Sequence, residues 1–225
     1  MFGSCGLENY VYLNPVVDIL KPLGGIGTIA SITFPSQQPQ DEFRNYMIFY
    51  RIYLSDEPVP PTFTGVPSQL IPVNTELANH YSFLERYTSD DTISAVPIDS
   101  IFRNRGYFPI YASPDGVIVR PLQNILYTAS GTIHLSFFSD PYPSFLDTFN
   151  IKYFLFRASN TSRPDRTFNY SSQLNNDTNI DVQQNTGTGT TNCAYVSMYI
   201  VATGIDGNYT PLFSRPTHIG IFPLP

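Results

Sequence analysis

The sequence predicts an all-β fold built as two β-sandwiches in tandem, with one short helix inserted in the first, and three observations lead there. The first is composition: 16 Tyr and 17 Phe with no Trp supply flat, strand-favouring side chains, while 20 Pro and 14 Gly interrupt the chain too often for long helices. The second is period-two patterning, strongest in Tyr46, Ile48, Tyr50, Ile52 and Leu54. The third is an internal repeat. Asp18-Ile19-Leu20, Gly27-Thr28-Ile29, Phe43 and Phe49-Tyr50-Arg51 recur as Asn124-Ile125-Leu126, Gly131-Thr132-Ile133, Phe149 and Leu155-Phe156-Arg157, at offsets of 106, 104, 106 and 106 residues (124−18, 131−27, 149−43, 157−51). The expected division is a leader over 1–13, one sandwich over 14–118 and a second over 119–225, each long enough to bury its own core.

In the first unit, Asn14 to Leu20 leads through a Gly24-Gly25 turn into a strand from Thr28 to Phe34, closed by Pro35 and Pro39. The strand from Phe43 to Leu54 follows. Its even positions require one buried face, and Met47, Phe49, Arg51 and Tyr53 on the other face imply that this side is covered too, by the other unit, a loop or a partner. After the proline-rich stretch from Pro58, Asn74-Thr75-Glu76 opens a segment in which Leu77, Tyr81 and Leu84 fall at helical spacing behind a capping residue. The second unit repeats the plan with Ile133-His134-Leu135-Ser136-Phe137 and Phe149 to Arg157. One conflict stands out. The apolar phase is Ala30, Ile32, Phe34 in the first unit but Ile133, Leu135, Phe137 in the second, one residue out of step with the repeat, which calls for a bulge or a slipped alignment. The stretch from Ser159 to Thr191 is rich in Asn, Ser and Thr, and its latter part reads as a mobile loop.

The C-terminal stretch carries a family resemblance. Val196, Met198, Ile200 and Ala202 alternate on one face, then come the Asp206-Gly207 turn, Tyr209-Thr210-Pro211, Ser214, Arg215-Pro216 and a last strand from Thr217 to Phe222. Together they resemble the final hairpin of fibronectin type III domains, and Phe108, Ile110, Ala112, Asp115-Gly116 and Arg120-Pro121 end the first unit in similar style. The resemblance implies tandem fibronectin type III-like, immunoglobulin-like sandwiches. It departs from that family in having no strand-B Trp, with Phe34 and Phe137 in its place, and in holding Val196 where a strand-F Tyr is usual.

Charge and cysteines bear on location. A net charge of −6 and only 12 Lys and Arg exclude nucleic acid as a partner, since phosphate binding needs clustered cations. Phe2-Gly3-Ser4-Cys5-Gly6 resembles the end of a bacterial lipoprotein signal, in which small residues precede a cysteine that becomes acylated, so Cys5 is the expected lipid attachment site. A disulfide to Cys193 is the weaker alternative. These features imply a lipid-anchored envelope protein, similar in general style to spirochaete and other bacterial surface proteins, with its membrane contact made through Cys5.

A search for chemistry returns no catalytic residue, metal site or cofactor motif. His80, His134 and His218 stand apart in sequence and read as surface or packing residues. Asp56-Glu57, Asp90-Asp91 and the stretch from Asn175 to Asp181 lack the spacing of a calcium loop and read as solvated turns. Gly24-Gly25-Ile26-Gly27 lacks the Lys and following helix of a phosphate cradle. What is left is recognition of an unknown protein or glycan through loops rich in Tyr, Ser, Asn and Thr. The candidate contacts are Tyr142, Phe145, Phe168, Tyr170 and Tyr209, expected to point away from a membrane that holds Cys5. The expected role is a non-catalytic envelope lipoprotein that binds protein or acts as a spacer. A carbohydrate-binding accessory module, marked by a coplanar exposed tyrosine pair, and a structural subunit of a phage, virus or appendage, marked by symmetric assembly, are the alternatives.

Overall fold

The computed structural model describes residues 13–20, 29–34, 42–55, 74–89, 98–116, 118–122, 126, 131–137, 143–147, 149–158, 168, 181–183 and 193–224. In chain order its strands are β1 (Asp18–Leu20), β2 (Ile29–Phe34), β3 (Phe43–Ser55), β4 (Phe108–Pro109), β5 (Tyr111–Ser113), β6 (Arg120–Pro121), β7 (Gly131–Ser136), β8 (Ser144–Leu146), β9 (Lys152–Phe156), β10 (Val182–Gln183), β11 (Cys193–Ile205), β12 (Pro211–Phe213) and β13 (Thr217–Pro223). The helices are α1 (Thr75–Ser89) and α2 (Ile98–Asn104). The all-β expectation holds at that level: mostly antiparallel strands in two sheets, with the helices on one side.

One sheet has seven strands in the order β1-β2-β7-β8-β9-β5-β6. The other runs β10-β3-β11-β12, with β13 also on β11 and β4 also on β3. Its centre is the long antiparallel pair β3–β11, in register from Cys193 opposite Ser55 to Thr203 opposite Asn45, with a one-residue shift that then sets Gly204 opposite Phe43. The chain changes sheets at Ile110, between β4 and β5, where its N–H bonds Ile48 O at 3.0 Å and its carbonyl accepts the Leu122 N–H at 3.0 Å.

Even positions of β3 (Tyr46, Ile48, Tyr50, Ile52, Leu54) and of β11 (Ala194, Val196, Met198, Ile200, Ala202) face the first sheet, as their alternation predicts. Between the sheets they meet Ala30, Ile32, Phe34, Ile133, Leu135, Phe137 and Leu155 in one core. Aromatic stacking crosses the gap: Phe34 on Tyr46 at 4.2 Å and Phe137 on Phe222 at 4.7 Å between ring centroids. The odd face of β3 is covered as expected, and the cover is helical. Phe49 and Tyr53, with Tyr195, Tyr199 and Val201 of β11, pack under Leu77, Ala78, Tyr81, Leu84, Ile98, Ile101 and Phe102 as a second core.

The division into two sandwiches is corrected here. Strands from 14–118 and 119–225 pair directly in both sheets, β2 with β7 and β3 with β11, and their buried side chains form one core between the sheets. The phase conflict has the same explanation. Because β2 and β7 are antiparallel neighbours, Ala30 lies opposite Leu135 and Ile32 opposite Ile133, so one strand must use even positions and the other odd ones to face the same core. No bulge is needed. The repeated strands are also placed differently: β3 is central in one sheet and β9 lies in the other, while Phe43 is buried and its counterpart Phe149 is 71% exposed in a turn.

α1 begins as predicted, with Asn74 as its cap: Asn74 Oδ1 accepts the Leu77 N–H at 3.1 Å, and Asn74 Nδ2 donates to Leu54 O at 2.7 Å, which pins the helix to the end of β3. α2 was not expected. It closes in a Schellman turn, Tyr107 N to Phe102 O at 2.9 Å and Gly106 N to Arg103 O at 2.9 Å, with Gly106 at φ +71°. Its positive φ favours glycine there, and a Cβ would also displace the Arg51 guanidinium.

Candidate functional site

Two features of the described residues stand out from ordinary packing: polar side chains buried inside the molecule, and apolar side chains exposed at one end. The first polar group lies between the β3–β11 sheet and the helices. Tyr53 OH donates to Tyr107 OH at 3.0 Å, and Tyr107 OH donates to Ser197 Oγ at 3.1 Å. Tyr53 therefore accepts from His80 Nδ1, 2.7 Å away, which places the proton of the neutral imidazole on that nitrogen. Arg51 closes the group, donating to Arg105 O at 2.5 Å and to Gln183 Oε1. Burial, then the Arg51 and Arg105 charges, lower the His80 pKa from 6.5 to about 4. Burial raises the Tyr53 and Tyr107 phenols above their usual value, so both stay protonated donors. Glu76, on the next turn of α1, is 3.6 Å from His80 Nε2.

The second polar group ties the two sheets together at the end of β9. Arg157 Nε and Nη2 grip the two oxygens of Asp181 at 2.9 Å each, and Tyr50 OH donates to Asp181 Oδ2 at 2.7 Å. Ala158 N donates to Tyr50 OH at 2.5 Å, and Ile52 N to Asp181 O at 2.9 Å. Arg157 and Asp181 are 3% and 1% exposed, so both charges are desolvated and balanced by each other. Asp181 is thus a buried partner and not the solvated turn residue expected of it. Among the described residues no group of three His, Cys, Asp or Glu is placed to hold a metal.

The apolar end follows from the registers. In the first sheet Asp18 pairs with Thr33, Phe34 with Gly131 and His134 with Leu146, so Val17, the start of β7 and the turn 147–151 lie at one end. Ser113 pairs with Phe154, which brings the β5–β6 turn to the same end. In the second sheet Gly204 pairs with Phe43, and the turn 206–210 follows directly. The two sheets meet there: Phe34 stacks on Tyr46, and Leu13 Cδ1 lies 3.1 Å from where a Gly204 Cβ would be. The large apolar side chains exposed among the described residues are Val17, Ile118, Phe149, Ile151, Ile205 and Tyr209, and all six belong to this end.

Two of its turns share one construction. Asp147 Oδ1 accepts the Phe149 and Ile151 N–H groups at 2.8 Å each, and Asp206 Oδ1 accepts those of Asn208 and Thr210 at 2.8 and 2.7 Å. The fourth residue of each turn is left-handed, Asn150 at φ 61° and Tyr209 at φ 63°. The carboxylates are used to stiffen the turns, while Phe149 and Tyr209 project at 71% and 88% exposure.

The sequence-predicted contacts are not brought together. Phe145 and Phe168 are interior residues, Phe145 stacked on Tyr153 at 4.8 Å and Phe168 edge-on to Tyr50 at 4.8 Å, so neither is a surface contact. Alternation explains the first: Phe145 pairs with Leu135 and shares its buried face. Cys5, Tyr142, Tyr170 and the loop Asn185–Thr191 lie outside the described residues. Tyr209 is exposed as expected, but at the end where Leu13 enters, not at the end remote from the N-terminal segment. Of the histidines, His134 is exposed and bonded to Ser31 at 2.8 Å, and His218 packs edge-on against Tyr81 at 5.1 Å. Comparison with protein-family models, curated proteins and solved structures finds no match.

Proposed function

We propose that the chain is a non-catalytic lipoprotein of a bacterial envelope, held by an acylated Cys5 and carrying a β-sandwich that binds a protein or acts as a spacer. The observation that carries this reading is the run Gly3-Ser4-Cys5-Gly6, in which small residues flank a cysteine as they do at a lipoprotein acylation site. The use made of the buried polar groups supports the non-catalytic part: His80, Asp181, Arg157 and the buried tyrosines are tied to one another across element boundaries. The likeness of the closing hairpin to fibronectin type III domains supports a presenting module.

The test is acylation. Expressed behind a lipoprotein signal peptide in a bacterial host, the protein should incorporate labelled palmitate and partition into detergent, and Cys5→Ala should lose both. Equal labelling and partitioning of the two proteins would refute the reading.

A further inference from the structure

We propose that the apolar end of the sandwich is a membrane-seating surface, whose turn tips insert into the interfacial layer of the lipid bilayer that holds Cys5. The proposal builds on the lipoprotein reading for the tether, but the insertion is a property of the folded body.

Three observations converge on it. Exposed apolar side chains scattered singly over a surface need no explanation, but here they are gathered at one end, on turns contributed by both sheets. Ile118, Phe149, Ile151 and Tyr209 sit on turns between strands, with Val17 and Ile205 at strand ends beside them. Phe149 and Tyr209 stand on turns stiffened by carboxylate-to-amide bonds, so the rings are presented without loss of loop order on insertion. Tyrosine suits this level in particular, its ring in the acyl boundary and its hydroxyl among headgroups.

The second observation is the entry of the chain. Leu13 is buried against Gly204 at this same end, and the eight residues back to Cys5 span at most about 28 Å. A lipid on Cys5 therefore holds the bilayer within reach of this end and of no other described exposed apolar group. The third is charge. Exposed Arg44, Arg120 and Lys152 stand among Asp18, Glu42, Asp115, Asp147 and Asp206, so the rim carries both signs with acidic groups in excess, and its seating rests on the apolar side chains rather than on attraction to anionic headgroups.

The chain contains no Trp, so an introduced indole is an unambiguous probe. Purified, unacylated protein carrying Cys5→Ser is mixed with vesicles of phosphatidylethanolamine and phosphatidylglycerol. In this background Tyr209→Trp or Phe149→Trp should show blue-shifted emission quenched by brominated lipid, while Asn104→Trp on the helix layer should show neither. The double substitution Tyr209→Ser with Phe149→Ser, at two exposed positions, should keep the thermal transition and lower vesicle partitioning at least tenfold. No spectral change at either tip, or burial of the tips in a protein dimer seen by sedimentation without vesicles, would overturn the proposal. Loss of palmitate labelling with tip insertion intact would remove the lipoprotein reading and leave this one standing.

Discussion

Asp181 accepts three side-chain hydrogen bonds in a space that excludes water, and the residue that makes this tolerable is Arg157, whose planar fork matches both carboxylate oxygens. Neither residue announces this in the sequence, because Asp181 lies 24 positions from Arg157 and 131 from Tyr50. His80 is the same kind of residue with a measurable consequence. Its folded pKa of about 4 lies below the 6.5 of the unfolded chain, so on acidification the unfolded state takes the proton first. The destabilisation that follows sets in as pH falls through 6.5 and levels off near 4. From about pH 7 to pH 4, the stability of the wild type relative to His80→Gln should fall by roughly 3 kcal/mol, read by urea denaturation at each pH. A pH-independent difference would mean that the fold leaves the His80 pKa unshifted, and a relative gain in stability on acidification would mean that Glu76, 3.6 Å away, holds it protonated.

At the scale of elements, local signals and tertiary demands agree for β3, β11 and α1. Thirteen-residue strands with apolar residues on both faces need a layer on each side, and the structure supplies a sheet and a pair of helices. α1 was legible because Asn74 precedes Leu77, Tyr81 and Leu84, and Asn74 is used twice, as cap and as donor to Leu54 O. Asn74→Ala should therefore cost about 1–2 kcal/mol in chemical denaturation, at the upper end for an N-cap. A loss below a few tenths would show that packing alone holds the helix. α2 escaped notice because seven residues are too few for periodicity to separate helix from strand, and its clearest signal, Gly106 after Asn104, lies beyond its end. The aromatic contact candidates failed for a related reason. Aromatic residues near loops were read as surface, but Phe145 belongs to a strand whose alternation turns it inward, opposite Leu135.

At the scale of the molecule, the two-sided burial of β3 could be read from the sequence, but the closure of the halves could not. An internal repeat is compatible with two cores or with one shared core, and only pairing decides. The opposed phases of β2 and β7 carried the answer: strands in equivalent places of two sandwiches have no reason to differ in parity, whereas antiparallel neighbours whose partners fall on even and odd positions must. The shared core also brings Leu13, Phe34 and Gly204 to one end, which makes the apolar rim a product of both halves of the chain.

Cross-linking tests this arrangement most directly. Thr33 and Thr132, one from each half of the chain, face each other across β2 and β7 with side-chain oxygens 3.2 Å apart. In a background with Cys5 and Cys193 replaced by Ser, Thr33→Cys with Thr132→Cys should oxidise to a disulfide within one chain, seen as faster migration on a non-reducing gel. A pair that stays reduced in the folded protein, or links only separate molecules, would show that the halves close apart from each other and would contradict the account.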